Sequence, residues 1–239
     1  MASHILLPRL LPLLATLLTQ VFAADFMYPF NCSATLKTCD SLLYHINKGL
    51  QQEQVAAFYN VNLTQITPIF RGDKQDYFVS VPCSCQNIND TTGYFYDASY
   101  LVQENDTFVN VSQQIYSGQA WEVGDEKDKF KTGSRVPMHL LCGCVDSESQ
   151  VVGTYTVQQN DTISDIASRL YSTVSGIQSL NSALIQDPNL LVVGWVLFVP
   201  MELTEGVAPA PSAILVKRNY YGQKVTNIYK HAFAALFHT

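Results

Sequence analysis

One octapeptide occurs twice in this chain. Tyr100-Leu-Val-Gln-Glu-Asn-Asp-Thr returns 55 residues later as Tyr155-Thr-Val-Gln-Gln-Asn-Asp-Thr. The likeness continues downstream, where Val111 pairs with Ile166, Ile115 with Leu170 and Tyr116 with Tyr171. A fixed offset of this kind marks a repeated structural unit, so the chain must fold as related modules rather than as one undivided domain. A weaker copy lies upstream. There Tyr44, Ile46 and Val55 match Tyr100, Val102 and Val111, while Gly49, Leu50 and Gln51 stand where the other copies carry Asn-Asp-Thr.

The third copy shows the plan of a module most clearly. Thr154-Tyr155-Thr156-Val157 alternates and is β-branched, which predicts a short strand. Asn160-Asp161-Thr162 offers helix-capping side chains, and Ile163, Ile166, Ala167 and Leu170 follow at helical spacing. A second apolar period, Ile177, Leu180 and Leu184, ends at the turn Asp187-Pro188-Asn189. Gly194 to Pro200 reads as a closing strand. The expected fold is therefore α+β: three small modules of strand, helix, helix, strand, with the first two diverged. In the second, Gly118-Gln-Ala-Trp121 and the acidic stretch Asp125-Glu-Lys-Asp128 replace a clear second helix.

Six cysteines occur, at 32, 39, 83, 85, 142 and 144. An even number in a secreted chain predicts three disulfides. Two pairs are Cys-x-Cys, whose members are too close for ordinary disulfide geometry. Each therefore bonds elsewhere, which leaves ten of fifteen connectivities open. Zinc is disfavoured, since its ligands prefer wider spacing and reduced thiols. No metal or cofactor is expected.

Secretion is indicated by residues 1–23. A leucine-rich apolar run is followed by Val21-Phe22-Ala23, as in a signal peptide. Asn31, Asn62, Asn89, Asn105, Asn110 and Asn160 each begin an Asn-x-Ser/Thr acceptor sequence, which predicts an extracellular glycoprotein. A net charge of −6 supplies no basic face for nucleic acid. With only 14% of residues charged, a neutral hydrogen-bonding ligand suits the chain better than a polyanion.

Tyr155-x-Val-x-x-x-Asp-Thr, then Ile166-Ala, and finally Val193-Gly-x-x-Leu-x-Val-Pro200 resemble the lysin motif (LysM). Three such modules separated by Cys-x-Cys segments, behind a signal peptide, resemble the ectodomain of plant LysM receptor kinases and receptor-like proteins. The opening Cys32 to Cys39 and the diverged first two modules look nearest to the exopolysaccharide-receptor branch. The resulting division is 24–42 as an N-terminal segment, 43–82, 99–141 and 154–201 as the modules, 83–98 and 142–153 as linkers, and 202–239 as a Pro/Ala linker and disordered tail. The resemblance implies bridges Cys32–Cys85, Cys39–Cys144 and Cys83–Cys142.

It also implies a shallow sugar groove between two loops of a module. In the second module these are Gln103, Glu104, Asn105, Asp106 and Thr107 facing Gln119 and Trp121. In the third they are Gln158, Gln159, Asn160, Asp161 and Thr162 facing Asp187, Asn189, Leu190 and Leu191. Helix N-terminal amides and Asn/Gln side chains can bond sugar hydroxyl and acetamido groups. Asp106 and Asp161 are expected first as helix caps. Trp195 is expected in the core.

The expected function is an extracellular receptor ectodomain, or soluble receptor-like protein, that binds chitin-type N-acetylglucosamine oligosaccharides or microbial exopolysaccharide. A LysM receptor kinase would be its co-receptor, and nucleic acid is not a partner. The alternative is a protein-binding ectodomain without sugar affinity of its own. An enzyme is not expected: paired carboxylates on a separate catalytic domain would be needed, and the three modules leave little chain for one. Ala213-Ile-Leu-Val216 runs at once into Lys217-Arg218, and Phe233 to Phe237 is short, so neither a membrane span nor a lipid-anchor signal is expected.

Overall fold

A computed structural model describes residues 26–122 and 129–203. The expected signal peptide, the acidic stretch 125–128 and residues 204–239 of the expected tail lie outside the described residues. Among the described residues, seven strands and four helices carry the fold. The first unit comprises β1 (Thr38–His45), α1 (Gln52–Tyr59), a 3-10 turn (Leu63–Gln65), β2 (Ile66–Arg71) and β3 (Lys74–Ile88). The second comprises β4 (Thr91–Leu101), α2 (Phe108–Ile115) and β5 (Arg135–Leu141). The third comprises β6 (Gln150–Thr156), α3 (Ile163–Arg169), α4 (Val174–Leu180) and β7 (Val196–Glu202). The α+β expectation holds, and the third unit has the strand, helix, helix, strand order read from its periodicity. No helix among the described residues is long and apolar enough to cross a membrane.

Three separate modules are expected, yet all seven described strands share one sheet in the order β5-β4-β3-β1-β6-β7, with β2 also on β3. The cause lies in β1. Its run Leu42-Leu43-Tyr44 is buried on both faces, because alternate residues of a strand point to opposite sides. Leu43 joins the core shared with the second unit. Leu42 and Tyr44 join the core of the third. A strand apolar on both faces belongs in the middle of a sheet. Accordingly β1 pairs antiparallel with β3 on one edge and parallel with β6 on the other, through Leu42↔Gly153 and Leu43↔Thr154.

Residues 83–98, expected as a linker, are paired strand over most of their length. β3 runs through Cys83 and Cys85 and returns as β4, with Cys85 opposite Tyr94. The three disulfides are those implied by the resemblance: Cys32–Cys85, Cys39–Cys144 and Cys83–Cys142. Cys39 and Cys83 are cross-strand partners in the β1–β3 ladder. Each bonds one member of the Cys142-x-Cys144 pair that follows β5, so two bridges clamp that segment onto the centre of the sheet. The sulfurs of Cys39, Cys83 and Cys144 lie within 4.8 Å of one another, but all are consumed in disulfides. Gly143, between the two cysteines, leaves no room for a side chain: a Cβ there would stand 2.7 Å from Val152 Cγ1.

Helix α2 corrects one detail of the repeat. It is a residue longer than α3, and the Tyr116 N–H reaches the carbonyls of both Ser112 and Val111. Tyr116 therefore takes the buried place of Leu170 (0% and 1% exposed). Ser117 takes the left-handed place of Tyr171, at φ 57° and 50°. Tyr171, aligned with Tyr116 in sequence, is 52% exposed. Val55, Val111 and Ile166, earlier in the helices, keep equivalent buried positions.

His45 ends β1 fully buried, with Nδ1 3.2 Å from the Tyr59 hydroxyl. Burial lowers its pKa from 6.5 to about 4, against the opposing effect of Asp76. A group whose folded pKa is depressed gives stability that is complete above its unfolded pKa and declines as pH falls towards the folded value. Moving from pH 7 to pH 5 is therefore expected to cost roughly 2 kcal/mol through this residue. Urea unfolding at the two pH values should show the loss, and His45→Gln should flatten it. An unchanged pH slope in that variant would assign the loss to other groups.

Candidate functional site

The two loops expected to hold sugar in the third unit leave the same end of the β6–β7 ladder. Val157 N–H donates to the Trp195 carbonyl at 2.8 Å, and Gly194 N–H donates to the Val157 carbonyl at 2.9 Å. From there one chain runs on to Gln158–Thr162 and the other comes in from 187–192. Trp195 itself is buried, as expected.

Several residues in these loops serve the fold. Asp161 is not the helix cap. Its Oδ2 accepts from the Tyr155 hydroxyl at 2.6 Å and from Gln158 N–H at 2.8 Å, while Arg169 lies 3.4 Å from Oδ1. Asp106 repeats this with the Tyr100 hydroxyl and Gln103 N–H, both at 2.7 Å. The caps are the next residues: Thr107 Oγ1 accepts from Asn110 N–H, and Thr162 Oγ1 from Asp165 N–H. The aspartate thus closes the turn between strand and helix, and the threonine starts the helix. Burial, aided by these carboxylates, pushes the Tyr100 and Tyr155 phenols well above the ordinary tyrosine range, so both remain hydrogen-bond donors.

The first unit lacks the loop aspartate and builds the same device from elsewhere. Asp76, on β3, accepts from the Tyr44 hydroxyl at 3.0 Å, from Asn47 N–H at 2.9 Å and from Arg71 Nε at 2.8 Å. In all three units a carboxylate therefore joins the strand tyrosine to the backbone amide three residues on. The left-handed position also recurs, at Gly49 (φ 96°), Asn105 (φ 65°) and Asn160 (φ 67°). Asparagine and glycine tolerate that conformation better than other residues.

Gln119, expected as a sugar ligand, is fully buried. Its amide donates to the Tyr44 carbonyl at 2.8 Å and so binds the second unit to the first. The amides of Gln103 and Gln158 return to the Leu101 and Thr156 carbonyls. Glu104, Asn105, Gln159, Asn160 and Asn189 are exposed, and Leu190 is 59% exposed. Asn189 is folded back on Asp187, whose Oδ1 accepts from its amide at 3.0 Å. Leu191 is half-buried against the third unit's core. Trp121 is half-buried beside Phe95, with ring centroids 6.5 Å apart.

A concavity unforeseen from sequence lies where the units meet. A cleft of about 780 Å³ is lined by Phe26, Lys48, Val109, Gln113, Trp121 and Val193 among others. These residues come from all three units and the N-terminal segment, and no local spacing announces them. Of the expected site residues, the cleft takes in Trp121 and Gln158.

The LysM domain model matches residues 155–200. The chain contains a LysM domain and is homologous to plant LysM receptor kinase ectodomains. It is 24% identical over 216 residues to LysM domain receptor-like kinase 3 of Arabidopsis thaliana, an alignment covering 84% of the chain. The chain spans about a third of that relative's length, 32%. Among solved structures, a receptor-like kinase ectodomain matches with a TM-score of 0.55 at 17% identity, over 71% of this chain and 94% of that one. The LYK3 ectodomain matches with a TM-score of 0.54 at 16% identity, over 73% and 99%. These likenesses support the shared ectodomain fold, and the similarity of this chain lies with the ectodomain.

Proposed function

We propose that the chain is an extracellular carbohydrate-binding receptor ectodomain, or a soluble receptor-like protein of that kind. All three units are read as lysin motifs, the first two diverged, and the chain as nearest to exopolysaccharide receptors. Its ligand is a chitin-type N-acetylglucosamine oligosaccharide or a microbial exopolysaccharide, perceived in immunity or symbiosis, with a LysM receptor kinase as co-receptor. The observation that carries this reading is the LysM domain at residues 155–200 within a chain homologous to receptor kinase ectodomains. A sugar offers both hydroxyls and an apolar ring face, so it suits polar groups set beside apolar side chains.

The test is binding by the full secreted chain, with disulfides intact, to immobilised chitin oligomers, lipo-chitooligosaccharides, peptidoglycan fragments and exopolysaccharide. Saturable binding to one class is expected. Folded protein that binds none of them overturns the reading in favour of a protein-binding ectodomain.

A further inference from the structure

We propose that the sugar seat is the cleft where the three units meet, rather than the loop groove within any one unit. This rests on the carbohydrate-binding function proposed above. At about 780 Å³ the cleft lies within the usual range for ligand sites, about 300–1,000 Å³. Phe26, Val109, Trp121 and Val193 give it apolar and aromatic walls. Phe26, Val109 and Val193 are 44%, 52% and 56% exposed, far more than side chains serving only the core. Lys48 and Glu122 contribute one charge of each sign, so the cleft favours an uncharged ligand over a polyanion.

Two independent observations point to a ligand here. The first is Thr156, which lines the cleft and is 6% exposed, with its Oγ1 buried and unpartnered among the described residues. A buried hydroxyl without a partner is costly, and a ligand hydroxyl or acetamido group that displaced the cleft wall at Thr156 would satisfy it. The second is the distribution of glycan acceptor sites. All six acceptor asparagines are exposed, and none lines the cleft. Asn105 and Asn160, by contrast, stand at the left-handed turns of the two expected groove loops. A covalent glycan on either would occupy the surface that a free sugar needs.

The experiment uses the full secreted chain and the glycan panel above, reading affinity and melting temperature together. Val109→Trp and Val193→Trp fill the cleft from exposed rim positions. Each is expected to weaken binding at least tenfold without lowering the melting temperature. Thr156→Val removes only the hydroxyl and is expected to weaken binding about fivefold while leaving the fold as stable or more so. Gln159→Ala, Asn189→Ala and Asn160→Gln, in the loop groove, should bind within about twofold of the parent. If the parent binds a glycan and the loop variants lose it while the cleft variants do not, the cleft is excluded and the receptor reading survives. If the folded parent binds no glycan on the panel, both fail. Thr156→Val keeps the test decisive should a tryptophan variant misfold: full affinity in that variant counts against the cleft.

Discussion

Replacing Cys39 and Cys144 together by serine is expected to remove about 2–5 kcal/mol of stability, at the upper end of what a single disulfide contributes. This bridge closes the longest loop of the three, 105 residues, against 53 for Cys32–Cys85 and 59 for Cys83–Cys142. Loop-closure entropy rises only logarithmically, so the entropic advantage over the shorter bridges is about 0.6 kcal/mol. Position adds to it. Cys39 lies beside Cys83 in the β1–β3 ladder, and Cys144 is 4% exposed, so the cut also loosens a packed centre shared by two units. Non-reducing urea unfolding of the secreted double variant against the parent measures the loss, and secretion yield should fall with it. Parent-like stability would show that the sheet alone holds these units together.

The second large effect is expected at Asp76. Its side chain is fully buried and accepts from a tyrosine hydroxyl, a backbone amide and the Arg71 guanidinium. Asp76→Ala strands all three donors, and removing one partner of a buried ion pair costs about 3–5 kcal/mol. Asp161→Ala is expected to cost less, roughly 1–3 kcal/mol, because its Arg169 contact is longer, at 3.4 Å, and its Gln158 donor is only half-buried. The order of the two losses, read by chemical denaturation, tests whether Asp76 took over the role of the missing loop aspartate. A Tyr44→Phe, Asp76→Ala double-mutant cycle should show positive coupling. Additive losses would mean that the tyrosine and the carboxylate act separately.

Asp161 also shows how residue type can be legible while its role is not. Asn-Asp-Thr before a helical period correctly marks the start of a helix. Which of three capping-capable side chains takes the cap depends on where Tyr155 places its hydroxyl, and that is set by β6. The 2.6 Å bond from Tyr155 draws Asp161 away from the helix end and leaves the cap to Thr162. Gln119 departs from its expected exposure for a similar reason. A glutamine in an irregular segment looks exposed, but the backbone carbonyl it bonds belongs to Tyr44, 75 residues earlier.

By itself the sequence determined the repeat, the strand and helix order of the third unit, and the disulfide count. Each is written in local periodicity or in residue chemistry. The resemblance drawn from those residues supplied the bridge pattern that the structure contains. The tertiary structure alone decided that the units fuse into one sheet, because two-faced burial of β1 needs partners from both neighbours. It also decided that Asp76 substitutes for a lost loop aspartate, and that Phe26, Val109 and Val193 meet around one cleft. Those outcomes depend on contacts between residues tens of positions apart, and no pattern along the chain records which distant segments will share a surface.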